Sequence, residues 1–278
     1  MRRAGYVLLA VVAAATAVAA VAAVLMASSQ PAAAPRKNPA RSSGLASSVG
    51  QPTVTATATA VPVAPDPRVG AIFLGGQSLH TCTGSVLNSS TGDLILTAAH
   101  CLAEGADTSF VPGFANSAAP QDFWHVDAVY LDPRWVATKD PLVDFAVARV
   151  SRQDGGSVEA SVGGGLTIAA SPGVGTDVVV TGYALGAGGV PVGCRAVMAA
   201  LERGYPSVRC AGLVDGTSGS PWLSGATVVG VTGGLEGGGC QENVSYAPPF
   251  DRGVTDLLAR AEAGGPADVA PAAFAPDC

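Results

Sequence analysis

The chain has 278 residues, 48% of them hydrophobic and only 13% charged, with 36 glycines, 20 prolines and a formal net charge of −6. That length can bury a sizeable core, and the glycine and proline content favours short strands joined by many turns. An acidic chain without a basic stripe has nothing to offer a phosphate backbone, which excludes nucleic acid as a partner.

Arg2 and Arg3 precede an uncharged run from Gly5 to Met26, the order with which an export signal begins. A run of about 20 apolar residues also suffices to cross a bilayer. Residues 1–27 therefore read as a signal peptide or as a membrane anchor formed by residues 5–26. Their alanine-rich, weakly apolar composition favours the cleaved signal. Residues 28–67, ending in PTVTATATAVPVAPDP, show no apolar periodicity and read as a linker or pro-segment.

A folded domain is expected over residues 68–262. β-like runs recur through it: VGAIFL from Val69, SVL ending at Leu87, LILTA from Leu94, HVDAVYL from His125, DFAVARV from Asp144, DVVVTGY from Asp177 and TVVGVTG from Thr227. Turn residues separate them and no strand alternates with a long helix, so the class is all-β, a barrel or sandwich. The glycine-rich break over residues 153–165 reads as the seam between two halves. One short C-terminal helix is expected where Val254, Leu257, Leu258 and Ala261 share a face. Residues 263–278 form an Ala/Pro-rich tail whose last residue, Cys278, is its candidate anchor.

All six cysteines lie beyond the export segment, and none forms the close pairs of a zinc site. Disulfides are the default for exported cysteines. Cys82 and Cys101 flank one short segment and are expected to pair. Cys194–Cys210 with Cys240–Cys278 is the preferred arrangement of the other four, and pairing of Cys210 with Cys240 is the close alternative.

Three residues bear on chemistry. His100 ends an apolar strand in LTAAHC, Asp144 opens the otherwise apolar DFAVARV, and Ser218 lies in GTSGSPW between Gly216 and Gly219. A buried carboxylate needs a partner, and an imidazole N–H is one. A serine hydroxyl needs a neutral histidine to take its proton, and that histidine needs an acceptor to fix its tautomer. The order His100, Asp144, Ser218 meets both needs. Asp132 and Asp140 each precede proline in turn-like contexts, and His125 beside Trp124 is expected to be packed on its strand.

These motifs resemble those of the chymotrypsin-like (trypsin-like) serine peptidases, bacterial secreted branch. LTAAHC is similar to the family's histidine motif, DFAV to its aspartate strand, GTSGSPW to its nucleophile turn and VVGVTGG to the strand lining its cleft. HTCTGSVL resembles the segment in which His80 would be a supporting histidine and Cys82 the partner of Cys101. The similarity covers Val69 to Ala261. It implies two antiparallel six-stranded β-barrels with a catalytic His100, Asp144 and Ser218 between them. It also implies an oxyanion hole made by the backbone N–H groups of Gly216 and Ser218.

Thr217 departs from the animal digestive members, where an aspartate precedes the nucleophile and pairs with a new amino terminus. Activation by a cut after Arg68 in DPRVGAIF is therefore not expected. In the substrate cleft, Asp215 stands too close to the rim for an Arg or Lys pocket, and all three histidines are placed away from a Glu pocket. Gly233 and Gly234 leave the cleft wall open to a medium or large apolar side chain. The resulting expectation is a monomeric serine endopeptidase with protein or peptide substrates and neither metal nor cofactor. It would be secreted, or tethered to the outer face of the membrane by residues 5–26. The alternatives are a non-catalytic binding or scaffold protein on the same fold, and an esterase using the same three residues. The lack of a GxSxG elbow followed by a long helix argues against the second.

Overall fold

The computed structural model describes residues 57–241 and 243–273. The signal or anchor and Cys278 lie outside the described residues. Among the described residues no helix is long and apolar enough to cross a membrane.

Two short strands, β1 (Ala58–Thr59) and β2 (Val61–Pro62), come first. Six strands then follow: β3 (Val69–Leu74), β4 (His80–Val86), β5 (Leu94–Thr97), β6 (Thr108–Pro112), β7 (Trp124–Leu131) and β8 (Ala146–Ser151). They close into a barrel in the order β3-β4-β5-β8-β7-β6, with every pair antiparallel. Closure leaves no edge strand unpaired. β5 is buried at all four positions, whereas β7 alternates toward solvent at His125 and Asp127. Leu94, Ile95, Leu96, Phe110, Val147 and Tyr130 meet in one core.

After α1 (Pro133–Thr138) in the barrel and α2 (Val158–Ser161) in the glycine-rich break, the second half begins. Its strands are β9 (Thr167–Ile168), β10 (Asp177–Gly182), β11 (Val192–Val197), β12 (Ser207–Val208), β13 (Cys210–Ala211), β14 (Pro221–Ser224), β15 (Thr227–Val231) and β16 (Ser245–Tyr246). Six strands form a sheet in the order β2-β11-β10-β14-β15-β9, antiparallel except for β15–β9. The pairs β12–β16 and β1–β13 flank it. The class is all-β, as expected, and the second six strands form a ladder open between β2 and β9. Val178, Val180, Trp222 and Val229 form a core with Val208 of β12 and Cys210 of β13.

The expected helix is α3 (Arg252–Glu262), capped by the Asp251 carboxylate, which accepts from Gly253 N–H at 2.7 Å. Val254, Leu257 and Ala261 are buried against the barrel, and Leu258 is partly so. Burying a leucine side chain contributes about 2 kcal/mol. The tail has an anchor beyond its last residue: Asp268 accepts from Leu131 N–H at 2.7 Å and pairs with Arg260.

Residues 57–67, read from composition as linker, are part of the fold. β1 runs parallel to β13 and β2 antiparallel to β11. Arg68 is locked as well. Its N–H and guanidinium both bond Asp66, its carbonyl accepts from Val86 N–H at 2.8 Å, and Val69 is fully buried. The Arg68–Val69 bond therefore lies where a turn held by Asp66 enters β3.

Candidate active site

His100 sits in a single turn of 3-10 helix, Ala99–Cys101, immediately after β5. The disulfide Cys82–Cys101, with Cα atoms 6.0 Å apart, ties that turn to β4. Asp144 follows another such turn, Pro141–Val143, capped by Asp140, whose carboxylate accepts from Leu142 N–H at 3.0 Å. The turn delivers Asp144 just before β8 with 1% of its surface exposed.

A carboxylate that deep needs donors, and Asp144 has three. Oδ1 accepts from the His100 backbone N–H at 2.9 Å. Oδ2 lies 2.7 Å from His100 Nδ1 and accepts from Gly234 N–H at 2.8 Å. This bonding assigns the neutral imidazole its Nδ1–H tautomer, which leaves Nε2 with the lone pair that can take a proton. Burial pulls the His100 pKa down, while the charge and hydrogen bond of Asp144 push it up, and the net shift is upward.

The nucleophile-like turn docks onto the barrel at the same place. Thr83 on β4 grips it from both sides. Its N–H donates to the Ser218 carbonyl at 2.8 Å, and its hydroxyl donates to the Gly216 carbonyl at 3.1 Å. Gly219, at φ 78°, is seated so closely that an added Cβ would lie 2.1 Å from Thr83 O and 2.3 Å from Thr97 Oγ1. Thr97 ends β5, three residues before His100. From the other side Gly219 N–H donates to Thr232 O at 2.7 Å, and a Cβ on Gly233 would lie 3.0 Å from Asp144 Oδ2. Ser218, Asp144 and the His100 turn thus converge on Thr83, Thr97 and the Thr232–Gly234 segment.

Thr217 solves its own burial locally. Its N–H and hydroxyl both donate to Val214 O, at 3.0 and 2.7 Å. Gly216, at φ 90°, turns the chain where a Cβ would lie 2.1 Å from Leu185 N. Among the described residues neither Gly216 nor Ser218 donates its N–H to an internal acceptor. The Ser218 hydroxyl lies 3.5 Å from Gly237 O.

Beside Ser218 opens a cavity of about 290 Å³. Leu213, Asp215, Thr217, Thr232 and Glu236–Gly239 line it, and the Glu236 carboxylate lies 3.8 Å from the Arg203 guanidinium. No basic side chain is among the lining. Gly233 and Gly234, expected as cleft wall, follow directly on Thr232 of the lining, and an added Cβ would meet Asp144 at Gly233 and Pro141 and Tyr205 at Gly234. The parts played by Thr83 and Thr232 and the lining Glu236–Gly239 were not read from the sequence, although Thr83 lies in HTCTGSVL and Thr232 in VVGVTGG.

The remaining candidates lie elsewhere. Asp132 caps α1, and Asp140 caps the turn before Asp144. His125 is about half exposed near Ser109 and Asp107, so it is not packed as expected: β7 points it outward. His80 is buried with Nε2 3.1 Å from Gly188 O, and burial lowers its pKa. Cys194 and Cys210 form a second disulfide. The third proposed pair involves Cys278, outside the described residues. Cys82, His100 and Cys101 come close together, but both sulfurs are spent in the disulfide, so the group is not a metal centre.

A family model described as the trypsin-like peptidase domain matches residues 82–231. The chain belongs to the trypsin-like peptidase family. Its matched span contains His100, Asp144, Ser218 and the disulfides Cys82–Cys101 and Cys194–Cys210. Solved structures agree on the fold. Protease Anisep from Arthrobacter nicotinovorans is 23% identical with a TM-score of 0.63, covering 73% of this chain and 98% of that one. The thermostable serine protease AL20 from an extremophilic microorganism is 21% identical with a TM-score of 0.61, covering 71% and 98%. A Glu endopeptidase is 21% identical with a TM-score of 0.57, covering 74% and 97%. No curated protein matches by sequence. Trypsin-like peptidases act on proteins or peptides, and that substrate class applies to this chain.

Proposed function

We propose that this trypsin-like peptidase is an exported serine endopeptidase working through an acyl-enzyme. Ser218 Oγ attacks the scissile carbonyl while His100 Nε2 takes its proton. His100 then returns that proton to the leaving amine, and Asp144 holds the ring and stabilises the imidazolium. Water repeats the sequence to release the acyl group. The N–H groups of Gly216 and Ser218 receive the oxyanion, whose charge develops only in the transition state. The observation that carries this reading is the triple-bonded Asp144 behind His100 Nδ1, on the turn against which Gly219 is packed. In this reading residues 1–27 direct export, residues 68–262 together with β1 and β2 form the peptidase domain, and the enzyme works outside the cell as a monomer.

The cavity beside Ser218 suits a neutral side chain of medium or large size, since no basic residue is among its lining to pair an acidic one. A fluorophosphonate probe is expected to label the wild-type protein and leave Ser218→Ala unlabelled. Equal labelling of both would leave the non-catalytic scaffold as the better description.

The raised His100 pKa sets the pH dependence. kcat/KM is expected to fall on acidification with a midpoint above 6.5, the ordinary histidine value. Stability runs the other way. A histidine whose folded pKa is raised contributes fully below its unfolded value, and that contribution is lost as pH rises through the folded pKa. Thermal midpoints and kcat/KM followed over pH 5–9 check both. A rate that stays flat through this window would remove His100 as the base.

A further inference from the structure

The cavity wall Leu213–Asp215 enters directly from β13, a strand of two residues. Among the described residues its one strand partner is β1. Ala58 N–H donates to Arg209 O at 3.1 Å and Ala60 N–H to Ala211 O at 2.8 Å. The next residue, Gly212, has φ 87°, and a Cβ there would lie 3.5 Å from Ala60 Cβ. Two residues further along, β2 is fastened to β11, where Val63 N–H donates to Pro191 O at 2.9 Å and the Val63 side chain covers Gly193. The disulfide Cys194–Cys210 joins β11 to β13. Residues 58–63 therefore complete a bracket from β11 to β13, at the point where the chain leaves for the cavity and the Ser218 turn.

Val61 is 53% exposed and Thr59 is exposed, while Ala58 and Ala60 pack in part against the second core. The link to β13 itself is made by backbone hydrogen bonds. Each such hydrogen bond contributes about 1 kcal/mol net. Losing one leaves the two cores intact and frees β13 to move locally, since small cooperative units open well below the global unfolding energy. Leu213–Asp215 and the Gly216 N–H follow β13 in the chain. Movement there is felt first by the substrate side chain in the cavity.

We infer that residues 58–63 are a positioning element of the substrate cavity, holding β13 so that Leu213–Asp215 and Gly216 meet the bound peptide. This rests on reading Ser218 as the nucleophile. It assigns a task to a stretch whose composition suggests only a spacer, and it bounds maturation. Processing that removes the export segment has to leave Ala58 in place, because a later cut yields a folded barrel with a slack cavity.

The test is Ala60→Pro in the full chain, which deletes the N–H bonded to Ala211 O, beside Ala60→Ser, which keeps it. Amide hydrogen exchange is read over residues 210–217. Kinetics are read on two peptides with a large apolar residue or glycine at the cleavage position. Ala60→Pro is expected to speed exchange through Leu213 and beyond and to raise KM about tenfold for the large residue only. Ala60→Ser is expected to restore wild-type values. The inference is overturned if faster exchange stops at Ala211 with kinetics unchanged, or if both peptides lose equally as the thermal midpoint falls. Exchange needs no turnover, so it decides the point even where fluorophosphonate fails to label the wild type and the catalytic reading falls.

Discussion

Asp144→Asn is expected to lower kcat about 10⁴-fold at neutral pH with KM nearly unchanged, the size of effect measured when a triad aspartate elsewhere becomes its amide. The three bonds at Asp144 explain why. An amide has one acceptor oxygen and one NH₂ in place of two acceptors. If the NH₂ takes the Oδ2 position it faces Gly234 N–H and requires Nδ1 as an acceptor. The ring proton then moves to Nε2, the atom that has to accept from Ser218. If it takes the Oδ1 position it faces the His100 N–H instead. Either way a buried donor loses its acceptor, at about 1–3 kcal/mol. Steady-state kinetics on a peptide substrate, with the fold checked by circular dichroism, measure the effect. A fall of less than tenfold would mean that Asp144 has no part in the chemistry.

Gly219→Ala is expected to destabilise the protein by about 2–5 kcal/mol and to abolish measurable turnover. The left-handed backbone at φ 78° costs a non-glycine residue about 1–2 kcal/mol. Crowding a packed contact adds about 1–3 kcal/mol. The crowded atoms are the backbone of Thr83 and the hydroxyl of Thr97, neither of which is the end of a flexible side chain. Relief by retreat of the turn pulls Ser218 off β4, since Thr83 N–H donates to its carbonyl. Urea unfolding and active-site titration read the two parts separately. Full activity with a cost under about 1 kcal/mol would show that the turn is not held at Gly219.

The barrel strands were readable where apolar residues run together, as in β5 and β8. β6 and β11 were not read as strands: β6 is a short TSFVP segment closed by proline, and β11 carries Gly193 and Arg195 among its apolar residues. β1 and β2 were hidden for a different reason. Their pairing is made by backbone groups that every residue carries, so Ala and Thr there look like spacer. The three candidate side chains could be picked out because the types and order such chemistry needs are constrained. The cavity could not, because its wall is a run of glycines whose conformation depends on Thr232 and Val244 behind it. Glu236 is held at φ 53°, a backbone state no local motif announced.

Thr217 bears on control. Its hydroxyl and N–H both reach back to Val214 within the loop, while Gly216, Ser218 and Gly219 are tied to Thr83 and Thr232. Nothing in that loop waits for a charge delivered from elsewhere in the chain. A buried threonine that satisfies its own polar groups needs no ammonium partner, as a buried aspartate at that place would.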